Sequence, residues 1–487
     1  MLRSSRPLQG AVLVAVVVTA LALGLPPGAG AGAGPGAAAG DRTLIRGAAL
    51  VLTMDPEQGS GPLGALEDAD VLLDRGRIAA LGRHLPATGH PRILDARGEI
   101  VLPGFVDTHN HLWQSLIRGC GTDRELKGWL AACVGPLFHS TISGDDAYAG
   151  VRLSTLDEIS SGVTTVTDFS HAFNAGFARG NLRALADSGL RFVFAYYAAD
   201  DPAVRDEVRR VKREVIDPNP RARLQVGSHP TIATVAALTA ARRLADELGA
   251  ALNVHLAESP ADADDHQMEA LRQAGALRPR AGLVVAHAIH LSAAELDELA
   301  ADGVGVAHNP LSNLRLATGV MPLRAMAARH MKIGLGFDGG TNDTSDMFNA
   351  MRVAVGLQRA TSLDAATSPT PAEALRMATL GGAEVLGLGG EIGSLTPGKR
   401  ADVQVVDPRA FNFAPRLEWV GQLVFNGQPA NVDWVFVDGR ALKRHGRLEG
   451  ADRERVLRDA QGAADRVGSM LHPSASRSGE GPGATRG

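Results

Sequence analysis

The sequence predicts an α/β fold, a (β/α)8 TIM-type barrel with a small β-rich domain built from both chain ends. Short apolar β-segments alternate with helical patterns over residues 103–395. Segments rich in β-branched residues and broken by Gly and Pro stand on both sides of this stretch. The chain has 487 residues, of which 45% are hydrophobic, enough for a barrel and a minor domain.

Eight candidate strands support the barrel interpretation. They are Ile100–Asp107, Thr164–Phe169, Arg191–Tyr197, Leu224–Ser228, Ala251–His255, Leu283–His287, Gly303–Ala307 and Lys332–Phe337. Helical patterns such as Ala236–Leu248 and Ala293–Ala301 lie between most of them. Strands that alternate with helices in this way predict a parallel sheet closed into a barrel. An open doubly wound sheet is the alternative, but no Gly-rich phosphate loop follows the first strand.

The flanking segments predict the domain boundaries. Residues 41–102 together with 396–445 form the small β-domain, and residues 103–395 form the catalytic barrel. Residues 446–487 contain a C-terminal helix from about Arg453 and a disordered tail, Ser474–Gly487.

Residues 1–40 have the layout of a secretory signal peptide followed by a small-residue linker. Arg3 and Arg6 precede an apolar run, Ala11–Leu25, and an Ala/Gly/Pro stretch follows. We therefore expect a secreted protein with no membrane attachment after cleavage. A membrane anchor formed by an uncleaved N-terminal segment is the alternative.

Charge and cysteine content exclude several other classes. Lys and Arg number 49 against 53 Asp and Glu, so the chain lacks the basic excess that nucleic-acid binding requires. Two cysteines, Cys120 and Cys133, cannot build a disulfide framework or a thiolate zinc site. Whether they pair with each other, and whether the chain is a homo-oligomer, stays open.

Two histidines one residue apart follow the first barrel strand, in the segment PGFVDTHNH (103–111). Residues two apart in extended backbone point the same way, so His109 and His111 can face one metal ion. Two exposed loop histidines would be the alternative reading of this motif alone.

Other strand ends carry residues of the same kind. His255 ends the fifth strand, with Glu258 three residues further on, His287 ends the sixth, and Asp338 follows the eighth. Active sites of such barrels lie at the C-terminal ends of the strands. Together these residues predict a metal-dependent active site.

These motifs resemble the amidohydrolase superfamily, and within it the deaminase and chlorohydrolase branch. That branch includes guanine deaminase, S-adenosylhomocysteine/methylthioadenosine deaminase and the triazine hydrolases. The resemblance covers residues 43 to about 445. The segments that carry it are PGFVDTHNH (103–111), LIRG (116–119), SGVTTVTDF (161–169), HLAES (255–259), VAHAIHL (285–291), AHNPLSNLRLATG (307–319), GLGFDGG (334–340) and SLTPGKRADVQVVD (394–407).

The resemblance implies a role for each residue of the set. His109, His111, His255 and Asp338 would bind one Zn²⁺ or a similar divalent metal, and Asp338 would also accept a proton. Glu258 would be the proton shuttle, and His287 would polarise the reacting group.

Related enzymes with two metals bridge them with a carboxylated lysine at the end of the fourth strand. None of the five lysines lies there, which indicates one metal. His229, close to that strand end, is either an unusual second ligand or a substrate-facing or structural residue.

Pocket residues are expected next to the metal motif and after the second and seventh strands: Trp113, Gln114, His171, His308 and Asn309. In nucleoside-type deaminases of this kind, a glutamate after the first long helix holds the ribose hydroxyls. The corresponding stretch, Gly135–Ser140, contains no carboxylate, which argues against a nucleoside.

We therefore expect a secreted mononuclear-zinc aminohydrolase with a small-molecule substrate. It would deaminate an amino-substituted nitrogen heterocycle by metal-hydroxide attack. The alternatives are hydrolysis of an amide C–N or a carbon–halogen bond at the same site, and a binding protein without turnover. The sequence leaves the substrate open.

Overall fold

The structure is a computed structural model that describes residues 42–198, 201–341 and 344–471. The expected signal segment 1–40 and the expected tail Ser474–Gly487 lie outside the described residues.

The strands form two sheets, one from the middle of the chain and one from its ends. In chain order they are β1 Arg42–Leu52, β2 Ala65–Asp74, β3 Arg77–Gly82, β4 Arg92–Asp95, β5 Ile100–Pro103, β6 Phe105–Asn110, β7 Val163–Ser170, β8 Arg191–Tyr197, β9 Ala222–Ser228, β10 Ala251–Leu256, β11 Leu283–His287, β12 Gly305–His308, β13 Lys332–Leu335, β14 Val403–Val406, β15 Val432–Val437, β16 Arg440–Arg444 and β17 Arg447–Leu448.

The helices lie mostly between the barrel strands. They are α1 Leu126–Trp129, α2 Gly144–Ser160, α3 Ala175–Ser188, α4 Pro202–Val211, α5 Val235–Leu248, α6 Gln267–Gln273, α7 Ala293–Ala301, α8 Pro310–Arg315, α9 Leu323–Ala327, α10 Met347–Ser362, α11 Pro371–Arg376, α12 Gly382–Val385, α13 Trp419–Asn426 and α14 Arg453–Leu471. Local signals explain their starts: Ser143 and Ser292, for example, form capping boxes with Asp146 and Glu295.

The middle of the chain forms the predicted parallel barrel. β6 to β13 are hydrogen-bonded in sequence order as an eight-stranded sheet. The sheet closes between its first and last strands, because the N–H groups of Phe337 and Asp338 both donate to the carbonyl oxygen of His109. The strands are apolar and almost entirely buried, as expected for a parallel sheet covered by helices.

The first predicted strand, Ile100–Asp107, is divided between the two sheets. Ile100–Pro103 pairs with β1 and β14 in the sheet of the chain ends, and the barrel begins only at Phe105. Gly104 lies where the chain passes from one sheet to the other. Only glycine fits at this position, because a Cβ there would lie 2.1 Å from Cγ2 of Thr164.

The second sheet joins the two ends of the chain in the order β17-β16-β15-β14-β5-β1-β2-β3, with β4 paired to β1. A buried ion pair connects it to the barrel: Arg191 on β8 donates to Asp402 at 2.9 Å and to Asp438 at 2.7 Å. Arg191 is 1% exposed, so its removal would leave the buried carboxylate of Asp402 without its partner charge.

None of the helices in the described ranges combines the length and the apolar character needed to cross a bilayer.

Candidate metal centre and active site

The C-terminal ends of the barrel strands bring four potential metal ligands together. His109 lies in β6 and His111 directly after it, His255 lies in β10, and Asp338 follows β13. One side-chain ligand atom from each of these four residues lies within 4.8 Å of all the others. The four ligand residues expected from the sequence therefore converge on one point.

The distances within this cluster suit a single small cation. Nε2 of His109 and Nε2 of His111 lie 3.1 and 3.4 Å from Oδ1 of Asp338, and Nε2 of His111 lies 3.2 Å from Nε2 of His255. Three nitrogens and one carboxylate oxygen are a donor set that Zn²⁺ accepts.

Hydrogen bonds prepare His111 for such a role. Its Nδ1 lies 2.6 Å from the carbonyl oxygen of Phe169, and a carbonyl can only accept. Nδ1 therefore carries the proton, and Nε2 presents its lone pair to the cluster.

The charges of the cluster also suit a cation. Burial lowers the pKa of His109 and holds the pKa of His255 well below the ordinary value, so both rings are neutral near pH 7. Burial alone would raise the pKa of Asp338, but His287 and His109 outweigh it and hold that pKa well below its usual value. Oδ2 of Asp338 accepts a 2.5 Å hydrogen bond from Ser312.

Glu258 and His287 lie beside the cluster and form a second group with Asp338. Nε2 of His287 is 3.5 Å from Oε2 of Glu258 and 3.9 Å from Oδ2 of Asp338. Burial raises the pKa of Glu258 well above its ordinary value, with a further contribution from the charge of Asp338. Its surroundings therefore favour the protonated form of Glu258, which is the form that can donate a proton.

Two amides determine which nitrogen of His287 carries its proton. The side-chain amide nitrogens of Asn313 and Asn309 lie 3.0 and 3.4 Å from Nδ1, and an amide nitrogen can only donate. Burial lowers the pKa of His287 to about 4, so the ring is neutral. Its one proton consequently lies on Nε2, which faces Glu258 and Asp338.

The backbone at both residues is in the left-handed region. φ is 72° at His287 and 65° at Asp338, a conformation that non-glycine residues seldom adopt. Such strain is concentrated at sites where the position of a side chain matters for function.

A pocket of about 330 Å³ opens onto the cluster. His111, His255, Glu258 and Asp338 line its inner part. Polar lining residues also come from the loops after β9 and β10: His229, Asp262 and Asp265. The volume suits a small heterocyclic molecule.

Most of the apolar lining comes from one segment, residues 126–138. It contributes Leu126, Trp129, Leu130, Val134 and Phe138. We call it the apolar wall.

A disulfide between Cys120 and Cys133 encloses most of the apolar wall, which answers the question that the sequence left open. The indole N–H of Trp129 donates to the carbonyl of Cys120 at 3.1 Å, and Lys127 reaches the carbonyl of Ala261 at 3.4 Å. The wall is thus fixed both at its base and towards the loop after β10.

Two of the five expected substrate-binding residues line the pocket, and the other three are buried behind its lining. Gln114 and His171 line the pocket. Trp113 is fully buried behind His171, Asn309 is buried beside His287, and His308 is buried with its pKa lowered to about 3 by burial. These three residues support the pocket from outside its lining.

The sequence analysis did not identify the apolar wall or Tyr197, which also lines the pocket. Phe138 lines the pocket within Gly135–Ser140, the stretch that corresponds to the ribose-binding glutamate of nucleoside-type deaminases. The two cysteines that enclose most of the wall were the one feature of the sequence that could have indicated it.

Comparisons with known proteins agree with this geometry. The model of a family described as the amidohydrolase family matches residues 100–442. A 5-methylthioadenosine/S-adenosylhomocysteine deaminase of Desulforudis audaxviator is 33% identical over 436 residues, covering 88% of this chain and 99% of the relative.

Two solved structures are similar over almost the same range. An adenosine deaminase from Xanthomonas campestris with bound zinc has a TM-score of 0.77 at 28% identity, covering 88% of this chain and 98% of the other. An atrazine chlorohydrolase from Arthrobacter aurescens complexed with zinc has a TM-score of 0.77 at 25% identity, covering 87% and 100%.

Proposed function

The chain belongs to the amidohydrolase family and is a hydrolase of C–N bonds, and we propose that it is a mononuclear zinc aminohydrolase. Its substrate would be an amino-substituted nitrogen heterocycle, which it would deaminate. The observation that carries this proposal is the convergence of four ligand atoms, with the buried carboxyl group of Glu258 and the imidazole of His287 beside them.

The residues of the cluster fit a resident metal. His109, His111, His255 and Asp338 would hold the ion, since three neutral rings and one carboxylate leave a net charge of −1 that a divalent cation neutralises. A bound divalent metal supplies Lewis-acid activation of water. One ion is proposed because β9, the fourth barrel strand, contains no lysine that could bridge a second.

Glu258 would move the protons of the reaction. Its protonated carboxyl would donate to the ring nitrogen next to the reacting carbon, and Asp338 would accept a proton from the attacking water. The proton that Asp338 took from water would then pass to the amino group, and the proton of the new hydroxyl group would return to Glu258. In sum, the oxygen of water bonds to the ring carbon, the C–N bond to the amino group breaks, and ammonia leaves.

His287 would stabilise the oxygen that adds to the ring. Its Nε2–H points to the space between Glu258 and Asp338, and its position is fixed by Asn313 on the other side of the ring. A donor held in place before the reaction costs no reorganisation when negative charge develops.

Two features bear on the substrate. The names of the relatives support an aminopurine, whereas Phe138 offers no group that could bind ribose hydroxyls. Similarity to an atrazine chlorohydrolase keeps a halide as the second candidate leaving group.

A panel of matched compounds tests the proposal. Adenosine, adenine, guanine and 5′-methylthioadenosine would be assayed for ammonia, and 6-chloropurine riboside would be assayed for chloride. Ammonia release from one or more amino compounds is expected. Chloride release without ammonia would replace the proposal by the second candidate.

We also propose that the mature chain is exported. The composition of residues 1–40 supports this, and so does the Cys120–Cys133 disulfide, because such bonds persist in oxidising compartments. N-terminal sequencing of protein from culture medium should find a start between about residues 29 and 41. An intact Met1 on cell-associated protein would instead indicate an uncleaved anchor.

A further inference from the structure

His171 lines the pocket outside the metal cluster, and the buried residue Trp113 behind it determines its hydrogen bonding. The ring of His171 lines the pocket, and its centroid lies 4.7 Å from that of His111. His171 is stacked on Phe173, with 5.5 Å between centroids and 18° between ring planes. Its ring is therefore held at the pocket surface beside the proposed ligand His111.

The indole of Trp113 fixes the proton of this ring. Nε1 of Trp113 lies 3.1 Å from Nδ1 of His171. An indole N–H can only donate, so Nδ1 of His171 must accept and carries no proton. The ring is consequently neutral, with its single proton on Nε2.

Trp113 is well suited to hold this arrangement. It is 0% exposed and packs edge-to-face against Phe173 and Phe177, with centroid distances of 5.2 and 5.9 Å. A buried indole N–H needs a partner, so exchanging the bond for water is costly. Among the described residues, Nε2 of His171 has no hydrogen-bond partner, and it is the nitrogen left to the pocket.

We propose that His171 is a specificity-determining residue whose Nε2–H donates to an acceptor nitrogen of the heterocycle, and that Trp113 is the residue that positions it. The inference rests on the proposed function and narrows its substrate class. The substrate heterocycle must carry an unprotonated nitrogen at the edge that faces His171. Heterocycles with N–H or C–H at that place would be rejected.

Nitrogen NMR of selectively labelled histidine tests, without any substrate, whether Trp113 fixes the proton of His171 on Nε2. In the metal-loaded protein, Nδ1 of His171 should show the shift of an unprotonated nitrogen and Nε2 that of a protonated one. Trp113→Phe keeps an aromatic ring but removes the donor, and should change both shifts. Trp129→Phe removes another indole N–H of the pocket and should leave them unchanged. A protonated Nδ1 in the wild type would overturn the proposal.

Binding constants of adenosine, 3-deazaadenosine and 7-deazaadenosine test the second half. One deaza compound should bind about 5- to 150-fold more weakly than adenosine, because its C–H leaves a buried donor unsatisfied. This difference in affinity between the deaza compound and adenosine should nearly vanish in His171→Phe. It should largely return in His171→Gln, because the glutamine amide offers an N–H near the same place.

Equal penalties in the wild type and His171→Phe, or no penalty for either compound, would overturn the proposal. These binding ratios require no turnover. Absence of ammonia release across the panel would therefore defeat the proposed deamination without being mistaken for failure of this inference.

Discussion

The main-chain N–H of Asp338 donates a 2.9 Å hydrogen bond to the carbonyl oxygen of His109. The two residues are 229 positions apart, and the bond lies where the last barrel strand meets the first. Closure of the barrel therefore sets the distance between two ligand side chains through the backbone. The cluster is organised by the same contacts that complete the fold.

The first prediction concerns metal content. His109→Ala should lose the metal and the activity together, because the three remaining ligands hold zinc poorly. Elemental analysis of the purified protein should give one zinc or similar ion for the wild type and far less for the variant. His139→Ala, a change of an exposed histidine, is the control and should retain the ion. Two tightly bound ions per wild-type chain would contradict the single-metal proposal.

How much of this site the sequence predicts depends on where each residue lies. His255, His287 and Asp338 were found because a parallel barrel places strand ends at one face, so motif and topology together suffice. The apolar wall could not be found in this way, because its side chains reach the pocket from loops and short helices, which no strand periodicity encodes. Tyr197 is the last residue of β8, so topology places it at the same face, but an aromatic side chain at a strand end carries no signal of metal binding or proton transfer.

The small sheet illustrates the same limit for the fold. Both β-rich flanks were expected, yet Ile100–Asp107 was interpreted as one barrel strand because Ile100–Pro103 continues into β6 without a polar break. Pairing of β5 with β14, about 300 residues later, decides its place, and local pattern carries no record of that partner.

The second prediction concerns the orientation of His287. Asn313→Asp replaces a donor by an acceptor opposite Nδ1, so the proton should move to Nδ1 and leave Nε2 without one. Loss of one preorganised donor should lower kcat by about 10²–10³-fold. KM and metal content should change little, since Asn313 is not one of the four proposed ligands. A variant with normal kcat would show that Nε2–H takes no part in the reaction.

The third prediction concerns the disulfide and the apolar wall. Replacing Cys120 and Cys133 by serine should lower the free energy of unfolding by about 2–4 kcal/mol. It should also raise KM while kcat stays near normal, because the wall carries no group of the chemistry. Kinetics and denaturation with and without reductant provide the measurement. Reductant should reproduce the change in the wild type and have no effect on the double variant. An unchanged KM in both the double variant and the reduced wild type would show that the disulfide does not affect substrate binding.

The fourth prediction concerns pH and stability. Burial, with a contribution from Asp433, raises the pKa of Glu99 from 4.5 to about 7. The folded carboxyl thus keeps a proton that the unfolded chain releases above about pH 4.5. Stability from this group is complete below that pH and is lost as the pH rises towards 7, on the order of 1–3 kcal/mol.

Glu99→Gln should remove this dependence. Denaturation between pH 4.5 and 8 should show a flatter stability profile for the variant than for the wild type. Glu57→Gln, at an exposed position, serves as the control and should follow the wild-type profile. Parallel profiles for wild type and Glu99→Gln would mean that Glu99 is ionised in the folded protein throughout this range.

The last prediction separates proton transfer from metal binding. Glu258 lies three residues after His255, and its Oε2 is 3.5 Å from Nε2 of His287, so it stands next to the cluster without belonging to the four-ligand set. Glu258→Gln keeps the size of the side chain and its capacity to donate a hydrogen bond, but it cannot transfer a proton. General acid–base catalysis typically contributes 10²–10⁴-fold, so turnover should fall by about that factor at nearly normal metal content. Elemental analysis together with single-turnover kinetics provides the measurement. A variant that retains most of its activity would remove Glu258 from the chemistry. A variant that loses its metal would make Glu258 a ligand, and the proton shuttle would then have to be sought among the other groups facing the pocket.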